Sequence, residues 1–182
     1  MNLLQQTSKS LLTTMQELNE VLNIKHNENI IRQQLSFSHV FERVKKLFHA
    51  KILESSAAVT HDFSQAPFLV YSNVYLESVI LNLLSNALKY HDPRKKSFID
   101  FKTSLEGGCI ILRVSDNGLG INLERYGHQI FKMKKTFHRH PDSRGIGLFM
   151  IRNQIESMGG EISVSSQEGV GTTFTVNFNK TR

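Results

Sequence analysis

A chain of 182 residues, 40% of them hydrophobic and with a net charge of +6, has material for one ordinary domain and a short appendage. It holds no apolar run long enough to span a bilayer and no secretory leader, which predicts a cytoplasmic segment without direct membrane contact and leaves anchoring of any larger protein open. Its one cysteine, Cys109, sits in an apolar run and predicts a core thiol; its Lys and Arg residues are scattered without interleaved aromatics, which argues against nucleic acid.

The first 33 residues carry Leu4, Leu11, Met15, Leu18 and Leu22 at helical spacing, with polar residues between them. That stripe predicts a helical arm at 1–33 that pairs with another helix, and a second domain at 34–182. The domain opens with an extended piece near Gln34, then a helix capped by Ser38 and running through Val40, Phe41, Val44, Leu47 and Phe48. Strands are expected at 57–63 and 68–71. Asn73 is the candidate cap of the next helix, which Asp92-Pro93 stops near His91. Two strands, 97–105 and 109–116, flank the hairpin signal Glu106-Gly107-Gly108. From 117 to 144 the periodicity fails, apart from a possible helical turn at 123–131, and a long functional loop is expected. Gly145 opens a helix that Gly159-Gly160 ends, and strands at 161–166 and 172–177 close the chain. The sum is helices on an antiparallel-rich mixed sheet.

Three segments carry chemistry. In the helix after Asn73, Asn82, Asn86, Lys89 and Tyr90 fall at i, i+4, i+7 and i+8 on one stripe, while Val79, Ile80, Leu83, Leu84, Ala87 and Leu88 take the rest of the circumference. A polar stripe in an apolar helix costs stability unless it meets partners, and two carboxamides, an ammonium and a phenol suit a metal nucleotide. The Asn86 oxygen is a hard neutral ligand for Mg²⁺, Lys89 a point charge for phosphate, and Tyr90 a face for base or sugar. Asp116 ends a strand and enters a turn where Gly118 and Gly120 let a ring approach the backbone. A carboxylate there accepts from an exocyclic amine, favouring adenine over guanine. Gly145 and Gly147 at a helix start expose backbone N–H groups where the helix dipole favours anions. Between the last two segments lie Lys132, Lys134, Lys135, Arg139 and Arg144, a group suited to neutralising phosphate.

In order and spacing, Asn82/Asn86 with Lys89-Tyr90, Asp116-x-Gly-x-Gly, Phe131 with Phe137, Gly145-x-Gly and Gly169-x-Gly-Thr172-Thr-Phe resemble the N, G1, F, G2 and G3 boxes of sensor histidine kinases. The resemblance covers about residues 73–178 and implies the Bergerat fold, a two-layer α/β sandwich with ATP beneath a lid at 122–144. It also implies Mg²⁺ held by Asn86 with support from Asn82, adenine read by Asp116, and phosphate met by Lys89, by the lid residues Lys134, Lys135 and Arg144, and by Gly145 and Gly147. Thr172 joins the nucleotide set through the last box. The arm is similar to the second helix of the dimerisation and phosphotransfer hairpin, which implies a homodimer and a response regulator receiver domain as partners.

The family's phosphoacceptor histidine has no match here. His61-Asp62 lacks the following basic residue and lies in strand-like sequence, and His91-Asp92-Pro93 is a terminator. The hydrolytic ATPases of the same fold place a Glu where this chain has Asn82, which cannot take a proton at neutral pH. Glu77 falls off the stripe. Phosphoryl transfer to a protein histidine is therefore favoured over hydrolysis, with a non-catalytic nucleotide-dependent module as the other alternative.

Overall fold

The computed structural model describes residues 30–133 and 145–179. The chain divides into two units, Met1–Ile30 and Ile31–Arg182, and the architecture below is that of the second. Of the expected arm only the last four positions are described: residues 30–32 have no regular structure and Gln33 begins a strand. Lys134, Lys135, Phe137 and Arg144 also lie outside the described residues.

The elements in chain order are β1 (Gln33–Ser36), α1 (Phe37–Leu47), α2 (His49–Glu54), β2 (Ala58–Asp62), β3 (Phe68–Tyr71), α3 (Asn73–Lys89), β4 (Phe98–Glu106), β5 (Cys109–Asp116), α4 (Leu123–Tyr126), a 3₁₀ turn (Gly127–Gln129), α5 (Gly147–Ser157), β6 (Glu161–Gln167) and β7 (Gly171–Asn177). Five strands form one sheet in the order β2-β4-β5-β7-β6, antiparallel except for the β2–β4 pair. β1 and β3 form a separate antiparallel pair. Alternation gives the sheet its two faces: Ile99, Phe101, Leu112, Val114, Phe174 and Val176 point inward and are buried, while Asp100, Lys102, Arg113 and Thr173 point outward. Among the described residues the helices cover the inner face, giving the two-layer α/β sandwich that the resemblance implies.

Aromatic packing joins the layers. Phe41 of α1 lies 5.0 Å from Phe101 of β4 and 5.7 Å from Phe63, and Phe37 lies 5.6 Å from Phe63 and 5.8 Å from Phe178. Because Phe37 must be buried, α1 starts immediately after β1, and its cap is Ser36, whose Oγ accepts from the His39 N–H; Ser38 is already inside the helix. Asn73 is likewise the first helical residue and not the cap, and its Oδ1 accepts from Arg43 instead. The sequence pattern missed α2. It is a short continuation of α1 past a break at Phe48, and none of its residues is buried, so it has no apolar stripe to read.

α3 runs 17 residues without Gly or Pro, and Leu76, Val79, Ile80, Leu83, Leu84, Ala87 and Leu88 are all buried. The following loop is fixed by Asp92, whose inaccessible carboxylate accepts two hydrogen bonds from the Arg94 side chain and one from its backbone N–H. Those bonds hold the Asp92 carboxyl down to about 2. Cys109 is a buried thiol whose Sγ–H donates to the Asn179 carbonyl at 2.8 Å.

Candidate nucleotide-binding site

Asn82, Asn86, Lys89 and Tyr90 form one half-buried stripe on a helix otherwise enclosed by the core. Asn82 is a joint: its Nδ2 donates to the Ser78 carbonyl at 2.9 Å, and its Oδ1 lies where a Cβ on Gly147 would fall. A side chain at 147 would displace this carboxamide from the start of α5. One turn further on, the Asn86 side chain has no hydrogen-bond partner among the described residues. A neutral carboxamide oxygen of this kind fits the oxygen-ligand preference of Mg²⁺. Lys89 Nζ sits 5.6 Å from the Tyr90 ring centroid, in cation–π range. Glu77 is turned away toward α1, where Oε2 accepts from Arg43 at 2.6 Å.

Opposite the helix, the inner face of the sheet changes character at one end. Cross-strand register aligns Asp116 of β5, Thr172 of β7 and Ser166 of β6 in one polar row, beside rows of Val114, Phe174 and Val164 and of Leu112, Val176 and Ile162. Asp116 Oδ1 accepts from the Gly118 N–H at 2.9 Å, and the carboxylate also accepts from the Thr172 backbone. Burial outweighs those bonds and pushes the Asp116 carboxyl up to about 6.

The turn after Asp116 is threaded between two elements. The Leu119 N–H donates to the Tyr90 carbonyl at 2.9 Å, the Gly169 N–H donates to the Leu119 carbonyl at 2.7 Å, and Lys95 Nζ donates to the Gly169 carbonyl at 2.6 Å. The fit needs glycine: a Cβ on Gly118 would meet the Tyr90 carbonyl, and one on Gly120 (φ +66°) the Gln167 carbonyl. Asn117, in the turn after β5, clamps the neighbouring strand: its Oδ1 accepts from the Phe98 N–H at 2.8 Å and its Nδ2 donates to the Lys96 carbonyl at 2.9 Å. Asn after a strand-ending Asp signalled a turn, and this bridge depends on a strand nineteen residues away in sequence.

The third wall is the N-terminus of α5. The helix begins at Gly147, two residues later than expected, because Gly145 takes φ +66° and Ile146 occupies the cap position. No side chain among the described residues caps it and no acid lies in its first turn, so its leading N–H groups suit an anion. Phe131 packs 6.5 Å from Phe174, with the Arg152 guanidinium 5.7 Å from its centroid. The structure thus brings Asn82 to Gly147, Tyr90 to Gly118, and Asp116 to Thr172. His61 is a strand residue between Phe41 (4.7 Å) and Phe63 (4.9 Å), and His91 Nδ1 lies 2.8 Å from the Leu88 carbonyl at the helix end.

Comparison with known proteins matches residues 72–182 to the family model described as histidine kinase-, DNA gyrase B-, and HSP90-like ATPase. The chain is 31% identical over 103 residues to an uncharacterized sensor-like histidine kinase of Rhizobium meliloti, covering 55% of this chain and 19% of that protein. It therefore spans about a fifth of that relative's length. Among solved structures, Acinetobacter baumannii histidine kinase AdeS superposes with a TM-score of 0.79 at 19% identity, over 98% of this chain and 83% of that one. Full-length ShkA in complex with AMPPNP gives 0.80 at 19% identity, over 96% and 36%. No helix among the described residues is long and apolar enough to cross a membrane.

Proposed function

The chain belongs to the histidine kinase-, DNA gyrase B- and HSP90-like ATPase family, and from that premise we propose that it is the ATP-binding catalytic portion of a two-component sensor histidine kinase. The reaction is transfer of the γ-phosphoryl group of Mg-ATP to a histidine outside these 182 residues. An imidazole nitrogen attacks the γ-phosphorus, the bond to the β–γ bridging oxygen breaks, ADP leaves, and the imidazole proton passes to solvent. Mg²⁺ bound to the triphosphate would neutralise charge on the phosphate oxygens. Asn86 would hold that ion, Lys89 and the leading amides of α5 would meet the phosphates, Asp116 and Thr172 would read adenine, and Asn82 would position Gly147 against the stripe. Lys134, Lys135 and Arg144 supply further positive charge from the lid.

One observation carries this reading: the position that a general base would occupy holds Asn82, whose carboxamide is already committed to Ser78, and the nearest helical carboxylate, Glu77, faces Arg43. Positioning and charge neutralisation are then the chain's contribution, and the nucleophile comes from elsewhere. The partners that follow are a response regulator receiver domain and a second copy of the protein paired through the arm. To test it, a helical hairpin carrying an acceptor histidine is supplied with Mg-ATP labelled at the γ-phosphate. Acid-labile label on that hairpin, lost in Asn86→Ala, is expected. Steady phosphate release without an acceptor would overturn the reading in favour of hydrolysis, and tight ATP binding with neither outcome would favour a non-catalytic module.

A further inference from the structure

Ser166 lies outside every motif singled out in the sequence, yet it stands at a crossing of three segments. Its Oγ lies 2.8 Å from the Gly171 carbonyl, 2.9 Å from Thr172 Oγ1 and 2.8 Å from the Ile121 backbone nitrogen. A serine hydroxyl has one proton to give. The Gly171 carbonyl can only accept and the Ile121 N–H can only donate, so one arrangement satisfies all three contacts. Ser166 donates to Gly171, Ile121 donates to Ser166, and Thr172 donates its own hydroxyl proton to Ser166.

Thr172 Oγ1 is then left with lone pairs only, in the same cross-strand row as Asp116. We propose that Ser166 is a positioning residue for base selection: by taking up the Thr172 hydroxyl proton it makes Thr172 a second acceptor beside the Asp116 carboxylate, so the site welcomes an exocyclic amine and rejects a carbonyl. A freely rotating threonine hydroxyl would donate to a carbonyl as readily as it accepts from an amine. Ser166 removes that ambiguity, and through Ile121 it ties the selecting atoms to the Gly118–Gly120 turn. This inference rests on the nucleotide reading of the site.

A double-mutant cycle on purine selectivity tests it. ATP and GTP affinities are measured by calorimetry with Mg²⁺ for the wild type, Ser166→Ala, Ser166→Thr, Thr172→Val and the Ser166→Ala/Thr172→Val double variant, with thermal melts alongside. Ser166→Ala is expected to lower the ATP-to-GTP affinity ratio about tenfold, Ser166→Thr to restore it, and Ser166→Ala to leave the ratio unchanged in the Thr172→Val background. Equal losses for both purines, or the same drop in ratio with and without the Thr172 hydroxyl, would overturn the positioning role while leaving the site intact. Failure of the folded wild type to bind either nucleotide would instead overturn the nucleotide reading, and this inference with it. Should Ser166→Ala not fold, Ser166→Cys, a much weaker acceptor, carries the same comparison, and an unchanged ratio there counts against the proposal.

Discussion

The two walls of the cleft are built on opposite terms. On the sheet side the groups proposed to select the base are held by the protein itself: Asp116 by Gly118 and Thr172, Thr172 by Ser166, and the intervening turn by Tyr90 and Gly169. On the helix side, among the described residues, Asn86 has no hydrogen-bond partner and the first amides of α5 have no side-chain cap. A wall that reads a flat base gains from being rigid, since any looseness blurs discrimination. A wall proposed to meet phosphates and a hydrated cation can leave a group such as the Asn86 carboxamide for the ligand to partner.

The rigid wall should break hardest. Gly171 takes φ +148°, and a Cβ there would fall on the Asp116 carbonyl. Gly171→Ala is expected to cost about 3 kcal/mol or more, combining a backbone clash with a conformation L-residues avoid. A thermal melt should fall by about 10 °C, with nucleotide binding lost. A melt within two or three degrees of wild type would mean that the β5–β7 junction yields easily and that the sheet wall is not preset.

Next in size is a contrast between the walls. Asp116→Ala should weaken ATP binding by about 2–3 kcal/mol, whether or not Mg²⁺ is present, because the base contact does not involve the ion. Asn86→Ala should cost about 1–2 kcal/mol, and only when Mg²⁺ is present. Calorimetry with and without the ion separates the two patterns. If both variants lose the same amount under both conditions, the division between base wall and phosphate wall does not hold.

The rigidity has a titratable signature. Burial raises the Asp116 carboxyl from 3.8 to about 6, so between those values the folded protein retains a proton that the unfolded chain releases. Stability contributed by this group is therefore greatest at low pH, falls as pH rises through that window, and levels off above about 6. Asp116→Asn should melt higher than wild type at neutral pH and lose that advantage near pH 4. ATP uptake should run the opposite way and weaken as pH falls below about 6, since the ionised carboxylate is the better acceptor for an amine. A pH-independent difference between the melts would place Asp116 in water and not in the wall.

The same contrast explains what sequence alone could convey. The helix wall is written in neighbouring residues: Asn82, Asn86, Lys89 and Tyr90 share a stripe whatever surrounds them, and the buried remainder of α3 followed from periodicity. The sheet wall is assembled across strands. Asp116 was legible because two glycines follow it, but Ser166 becomes its neighbour only through the register of β5, β7 and β6, and no local spacing reveals that row. Strand positions emerged from alternation, while the parallel β2–β4 pairing and the separate β1–β3 pair depend on crossovers that periodicity does not encode. Helix starts shifted by one or two residues from the sequence signal, as at α1, where burial of Phe37 moved the cap from Ser38 to Ser36, and at α5, where Gly145 at φ +66° delayed the first turn to Gly147.

The smallest expected effect probes the back of the helix wall. Glu77 lies on α3 but its carboxylate meets Arg43, with side chains 31% and 41% exposed, so the pair fastens α1 to α3 from the solvent side. Exposed pairs of this kind contribute at most about 1 kcal/mol, and Glu77→Gln retains a hydrogen-bonding oxygen for Arg43, so a stability loss of about 0.5 kcal/mol or less is expected. ATP affinity and label transfer to a supplied acceptor hairpin should both stay at wild-type values, because the carboxylate meets Arg43 and not the stripe that carries Asn86. The comparison has force because Glu77 is an acidic residue on the same helix as the expected Mg²⁺ ligand. Steady phosphate release by the wild type that Glu77→Gln abolishes without a fall in stability would make Glu77 a water-activating base and turn the helix wall from a ligand-accepting surface into a hydrolytic one.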